Sequence, residues 1–357
     1  MVNKFWRLLV TLAALGLGGC VSSGQPLPTQ APTAVLPTPV SPTANAVLSA
    51  ADLPASPTPA NMAPAAPTTA VTQAPPVVLA TAAALPSPPP DAPPAPSATA
   101  ASDVSADGRA AAIGFSAGGR PLTAYQLGGG PNQIVLVGGM HGGYEWNTVL
   151  LAYRLLDYFA ENPDKIPETV TLHIIPAANP DGQFVVAGRD GRFAPTDVDA
   201  AADNFSGRFN SNGVDLNRNW DCQWQTAGMW RDQEIDAGEF PFSEPETAAL
   251  RDFFLALQPT AVVFWHSAAN GVYGAGCPDL YQSAYALAQL YGTAAGYPVY
   301  ESFDSYAVTG DASDWLALQN IPAITVELET HESLDWEKNL AGVTAVLKSQ
   351  QPGGVAP

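Results

Sequence analysis

From Val21 to Ala106 the chain carries 20 of its 35 prolines, mixed with Ala, Thr, Ser and Val, and no Lys or Arg occurs between Leu8 and Gly108. A tract of this kind has too little apolar surface to offset the entropy of ordering it, so it reads as an extended, partly polyproline-II linker. Folding is thereby confined to the residues beyond Ala106. About 250 residues remain there, enough for one α/β domain with a substantial core. The expected organisation is a signal segment at 1–20, the linker at 21–106, a folded domain at 107–350 and a short tail at 351–357.

The first segment has its own logic. Lys4 and Arg7 precede a short apolar run, LLVTLAALGLGG, that ends at Cys20. At about a dozen residues the run is too short to span a bilayer and fits the core of a signal peptide. Its ending, LGGC, resembles a bacterial lipobox, which implies lipidation at Cys20 and a cell-envelope lipoprotein outside the cytoplasm. The linker would then tether the folded domain to a membrane, its ends about 50 Å apart as a flexible coil. The formal charge of −19 argues against a nucleic-acid partner, which needs a basic face. A monomer is expected. Cys222 and Cys277 are candidates for a bridge in an oxidising compartment, although sequence does not show whether their Cα atoms approach closely enough.

In the folded part, QIVLVGG (133–139), TVTLHIIP (169–176), TAVVFWH (260–266) and PAITVEL (322–328) are continuous apolar runs that suit strands buried on both faces. Between them lie helical patterns. Val149, Leu150, Tyr153, Leu156 and Phe159 recur at spacings of three and four after Trp146. SEPETAALRDFFLAL (243–257) places Ser243 and Glu246 in capping-box register with Pro245 in the first turn. Further helices are expected over 279–294, 311–319 and 333–348. Strands alternating with helices imply a single α/β domain, a mixed, largely parallel sheet covered on both faces. Sites in such sheets form beyond the carboxyl ends of strands, where His141 and His266 both fall.

Of four histidines, His173 alternates within a strand and reads as structural, and His331 reads as a surface or cap residue. His141 and His266 differ in their neighbours. His141 sits in GGMHGGYE, whose glycines let an imidazole and a carboxylate turn toward one point. Two neutral imidazoles and one carboxylate make a catalytic zinc set with a fourth position for water. The segment TDVDAAADN (196–204) has spaced carboxylates but no glycine where a calcium loop would turn, and reads as a solvated insertion.

HGGYEWN, NPDG (179–182), RFNSNGVDLNRNW (208–220), FSEPET (242–247), WHS (265–267), Tyr306 with the downstream Asp314-Trp315, and VEL (326–328) follow one another in an order that resembles the zinc metallocarboxypeptidases of the carboxypeptidase A and B kind, particularly compact bacterial members. The likeness runs from about Ala112 to Leu347. It implies one zinc ion held by His141, Glu145 and His266. It implies Glu327 as general base, Arg208 as the electrophilic arginine, Asn217 and Arg218 as the clamp on the substrate's terminal carboxylate, and Tyr306 as a mobile tyrosine closing over it. Ser313 falls where the floor of the pocket for the terminal side chain is set, with Asp311 nearby.

In the family the carboxylate lies three residues after the first histidine, and here that place is Tyr144. Either one residue is inserted in the Gly-Gly turn and Glu145 still coordinates, or the site holds no metal. Glu329 is the fallback base, on the same face as Glu327 if the strand continues. The expected reaction is hydrolysis of the C-terminal peptide bond of extracytoplasmic peptides, peptidoglycan stem peptides among them. A deacylase of small N-acyl amino acids and a non-catalytic peptide-binding module are the competing expectations.

Overall fold

In the computed structural model, residues 104–105, 108–199, 201–202 and 204–351 are described. The signal segment, Cys20 and the linker expected at 21–106 therefore lie outside the described residues, apart from Val104–Ser105. Among the described residues no helix is long and apolar enough to cross a membrane.

In chain order the elements are β1 (Val104–Ser105), β2 (Gly108–Phe115), β3 (Pro121–Gly128), β4 (Asn132–Val137), α1 (Trp146–Glu161), β5 (Val170–Ile175) and α2 (Pro180–Ala187). There follow β6 (Ala227–Trp230), β7 (Gln233–Asp236), α3 (Pro245–Leu257), β8 (Ala261–Ser267), β9 (Gly271–Tyr273) and α4 (Gln282–Ala295). The chain closes with β10 (Val299–Tyr300), α5 (Ala312–Leu318), β11 (Ala323–Leu328) and α6 (Trp336–Ser349). Nine strands form one sheet in the order β1-β2-β3-β5-β4-β8-β11-β9-β10, and β6 and β7 form a separate hairpin.

The centre of the sheet, β5-β4-β8-β11, is parallel throughout, and antiparallel pairs flank it at β3-β5 and β11-β9. These central strands are the four apolar runs, and the reason is visible in their alternation. Ile134, Leu136, Val263 and Trp265 point into a core shared with α1, α4 and α6. Val135, Val137, Val262 and Phe264 point into a second core with Leu250 and Phe254 of α3 and Trp315 of α5. A strand that faces apolar cores on both sides cannot alternate with polar residues.

One expected cap does not form. The N-cap of α3 is Glu244 without a side-chain cap bond, and Ser243 Oγ instead donates to Glu244 Oε1. Glu246 is buried and turns inward, accepting from Ala117 N at 2.9 Å and from Asn210 Nδ2 at 3.2 Å. Tertiary partners override the local capping box here. Helix α6 begins at Trp336, three residues later than the sequence pattern places it, because Ser333, Leu334 and Asp335 form a turn that ties back to Glu329 and Thr330.

Candidate active site

Parallel β4, β8 and β11 bring their carboxyl ends to one edge of the sheet, and the site grows there. His266 is the penultimate residue of β8 rather than a residue beyond it, and its register partner on β11 is Glu327. His141 lies just past β4, in a succession of tight turns in which Gly142 N donates to Gly139 O and Tyr144 N to His141 O. Gly142 has φ +46°, and a Cβ there would meet Gly207 O at 2.7 Å, so only glycine suits this position. The turn delivers Glu145 to the N-cap of α1, where its carboxylate is not used for capping.

That carboxylate goes to the histidines. Glu145 Oε1 lies 2.8 Å from His141 Nδ1, Glu145 Oε2 lies 3.0 Å from His266 Nδ1, and the two Nδ1 atoms are 3.1 Å apart. All three side chains are buried, and their ligand atoms lie within 4.8 Å of one another. The extra residue of HGGYE is absorbed in the turn: Tyr144 swings out against Phe205, Trp230 and His331, and Glu145 turns in. Two nitrogen lone pairs and a carboxylate aimed at one point repel each other unless a proton or cation sits between them. Their chemistry, two imidazoles and one acid, is that of a three-ligand zinc site. Burial disfavours the charge on Glu145, yet the imidazoles of His141 and His266 outweigh it and hold the carboxyl well below the usual range.

Behind the triad stands a residue to which sequence reasoning assigned no role. Asp215, fully buried, places Oδ2 2.7 Å from Arg208 Nε and Oδ1 3.3 Å from His141 Nε2. The second contact is too poorly aligned to count as a hydrogen bond, since His141 Nε2 has no geometric partner, but it sets the field at that nitrogen. A negative group beside Nε2 favours the proton there and leaves Nδ1 free to coordinate. Burial works against the Asp215 charge, but Arg208, His141 and Arg218 hold its carboxyl well below the usual range. The signal was present in DLNRNW: an acid two residues before Asn217 needs a cation or imidazole if it is buried.

Glu327 lies beside His266, and its Oε2 accepts from Ala269 N at 3.1 Å. Burial, then the charge of Glu145, push its carboxyl up to about 7. Glu329 is elsewhere: β11 ends at Leu328, and Glu329 is exposed and paired with Lys338. His331 is not the surface or cap residue expected. It is half-buried in the cleft, with Nδ1 3.1 Å from Ser267 Oγ and its ring 4.8 Å from that of Tyr144. The loop after β11 folds back over the site, which its local sequence does not show.

The cleft has two halves that share His141, Arg208, Phe303, Tyr306 and Glu327. One, of ≈ 250 Å³, contains Asn217, Arg218, Asp311, Ser313, Asp314 and Thr325. The other, of ≈ 530 Å³, is walled by Tyr144, Trp230, Arg231 and His331. In the first half Arg218 is 2% exposed and makes no ion pair among the described residues. Its Nε and Nη2 donate to Met229 O and its Nη1 to Asn217 O. One N–H on each terminal nitrogen remains, the fork that a carboxylate matches. Asn217 donates from Nδ2 to Asp311 Oδ2 at 2.7 Å and accepts from Ala312 N at 3.1 Å, which leaves one amide N–H for a ligand. Tyr306 packs edge-on to Phe303, and Cys222 is bonded to Cys277 along the same wall.

Residues 105–340 match the zinc carboxypeptidase family. The chain belongs to it. Among curated relatives, carboxypeptidase B of Astacus astacus is 28% identical over 227 residues, 57% of this chain and 72% of that protein. Murein peptide amidase A of Escherichia coli K12 is 30% identical over 161 residues, 42% of this chain and 63% of that protein. Among solved structures, bovine thrombin-activatable fibrinolysis inhibitor superposes with a TM-score of 0.52 at 19% identity, covering 68% of this chain and 89% of that one, a likeness of fold. This zinc carboxypeptidase-family chain is thus a peptide hydrolase with one zinc ion as its cofactor, and the buried triad has the composition of a metal-holding group.

Proposed function

We propose that the protein is an exopeptidase that removes the C-terminal residue of extracytoplasmic peptides, with zinc held by His141, Glu145 and His266. The observation that carries this reading is Arg218, a buried guanidinium with no anionic partner among the described residues, set in the same cleft as the triad. A buried unpaired cation is costly, and a substrate carboxylate relieves it. Anchored there by Arg218 and the spare amide N–H of Asn217, a peptide places its last bond, and no other, beside the triad. Tyr306, in both halves of the cleft, closes over the bound end.

Zinc, when bound, polarises the scissile carbonyl and lowers the pKa of a coordinated water to about 7. Glu327 takes the proton of the attacking water and passes it to the leaving amine, a task suited to a carboxyl raised toward neutrality. Arg208, fixed by Asp215, donates to the oxygen that gains charge. The short charged signal segment, LGGC ending at Cys20 and the Pro-rich tract support export and a lipid anchor at the cell envelope. Stem peptides of peptidoglycan are substrates within reach there, and the relationship to a murein peptide amidase supports that class.

The test compares N-blocked dipeptides bearing a free terminal carboxylate with their C-terminal amides and with N-acyl amino acids. Only the free-acid dipeptides should turn over well; equal cleavage of the amides removes the clamp from the reaction, and preference for N-acyl amino acids makes the protein a deacylase. Glu327→Gln should lower kcat by about 10²–10⁴-fold with zinc content unchanged. Retained turnover would remove the base assignment.

A further inference from the structure

His331 lines the cleft without a part in the exopeptidase reading, and the way it is held fixes what its ring can offer. The loop after β11 is pinned on either side of it by one side chain of α1. Asn147, fully buried, donates from Nδ2 to Thr330 O and to Ser333 O, each at 2.8 Å. Thr330 Oγ1 tightens the same loop by accepting from Glu332 N at 3.1 Å and from Ser333 N at 2.8 Å. Both amide hydrogens of Asn147 are thereby spent, and a flipped amide would set its oxygen against two carbonyl oxygens. Asn147 Oδ1 can therefore only accept, and it needs a donor.

Among the described residues that donor is Ser267 Oγ, at 3.1 Å. Ser267 closes β8 and is buried, so its single hydroxyl proton goes to Asn147. The same Oγ lies 3.1 Å from His331 Nδ1. With the hydroxyl proton committed, this contact is a hydrogen bond only if Nδ1 carries a hydrogen and the serine oxygen accepts it. A neutral imidazole has one N–H, so Nε2 keeps a bare lone pair. That nitrogen has no hydrogen-bond partner among the described residues and is not buried. The ring, 4.8 Å from that of Tyr144, lines the larger half of the cleft together with Arg208 and Arg231. Burial disfavours a second proton on the ring; Glu145 opposes this and Arg231 reinforces it, and the balance holds His331 below its ordinary value.

We propose that His331 is a substrate-binding residue whose Nε2 accepts a hydrogen bond from a backbone N–H of the peptide on the upstream side of the scissile bond. The proposal rests on the exopeptidase reading for the direction of the chain: the terminal residue lies against Arg218 in the smaller half, so the residues before it lie in the larger one. His331 is met there one residue's step from His266, because its partner Ser267 directly follows that histidine. Arg208 and Arg231 bring only donors to this half, which suit the carbonyl oxygens of a peptide. The N–H groups between those carbonyls need an acceptor once water is displaced, and His331 Nε2 supplies one without adding a charge.

The test uses the zinc-loaded full chain and N-blocked tripeptides with a free terminal carboxylate, unmodified or N-methylated at the penultimate or the antepenultimate nitrogen. One of the two methylations should lower kcat/KM about three- to tenfold more in the wild type than in His331→Phe, mostly through KM, as expected for one neutral hydrogen bond. The methylation that does so identifies the donor. His331→Gln, whose Oε1 can stand where Nε2 does, should restore the sensitivity. Nitrogen NMR of the histidine-labelled protein at about pH 8, where an ordinary imidazole is neutral, should find the His331 hydrogen on Nδ1. Methylation penalties that are equal in wild type and His331→Phe overturn the proposal, and so does a hydrogen found on Nε2. If no tripeptide is cleaved, the exopeptidase reading fails separately; the nitrogen spectrum then decides whether His331 presents an acceptor, and a protonated Nε2 overturns it.

Discussion

Replacing Asp215 by Asn tests whether the metal site depends on support from behind. The two side chains are nearly the same shape, so the change is one of charge and donor pattern. Asp215 Oδ1 accepts from Asn217 N at 2.9 Å, and Oδ2 accepts from Arg208 Nε at 2.7 Å. An asparagine that keeps its oxygen toward Asn217 N presents its NH2 to the Nε–H of Arg208, donor against donor. The flipped rotamer satisfies Arg208 and strands Asn217 N and the Nε2 side of His141. Either way the guanidinium, 2% exposed, loses its counter-charge. Removing one partner of such a buried pair costs about 3–5 kcal/mol, and urea unfolding of the zinc-free variant should show a loss of that order. Loss of the group behind a metal-ligating histidine typically weakens metal binding by about 10–100-fold, to be read by competition with a chromophoric zinc chelator. A variant that unfolds within about 1 kcal/mol of wild type (the error of such a measurement) and binds zinc equally well refutes the reasoning.

Three further outcomes are expected. Replacing Cys222 and Cys277 together by Ser opens a loop with a sequence separation of 55; the chain-entropy relation gives a loss of about 4 kcal/mol, measured by thermal or urea unfolding, and KM should rise because the bridge walls the pocket. Asp314, with a folded value of about 7 against an ordinary 3.8, gives stability that is full below the lower value and declines as pH rises toward the higher; unfolding of wild type from pH 5 to 8 should show this decline, and Asp314→Asn should make it shallower, leaving the part contributed by Glu246 and Glu327, which burial also raises to about 7. Gly310 has φ +68°, and a Cβ there would meet Arg218 O at 2.1 Å; Gly310→Ala should raise KM for peptides, and an unchanged KM would show that the clamp tolerates displacement.

What the sequence made legible was what buried strands and a fixed motif order write into it. The runs at 133–139, 169–176, 260–266 and 322–328 stand out because β4, β5, β8 and β11 are covered on both faces, leaving no polar alternation to dilute the signal. The hairpin β6–β7 has no such signature. Of its residues AGMW and QEID only Gly228 and Ile235 are buried, and its purpose, offering Met229 O to Arg218, is a backbone contact that no side-chain pattern announces. The inward turn of Glu246, the fold-back that carries His331 into the cleft and the pairing of Asp215 with Arg208 share this property. Each depends on a partner brought near by the tertiary fold, so local propensity points elsewhere.

The segment from Asp215 to Asn219 shows why the proposed clamp and the buried triad keep a fixed relation. Leu216–Arg218 form a 3-10 turn, on which successive side chains leave about 120° apart. Asp215 therefore faces Arg208 and His141, Asn217 faces Asp311 at the start of α5, and Arg218 faces the cleft. Asn219 fixes the turn from behind, donating to Ala237 O and Phe240 O and accepting from Thr247 Oγ1. The field beside His141, the proposed terminal-carboxylate clamp and one wall of the cleft are thus set by adjacent residues of one short, internally bonded turn. In the proposed reading, a substrate held by Arg218 is kept in a fixed relation to Asp215 and so to the His141 imidazole 3.3 Å from it. This rigidity, more than any single contact, is what would limit cleavage to the last bond of a peptide.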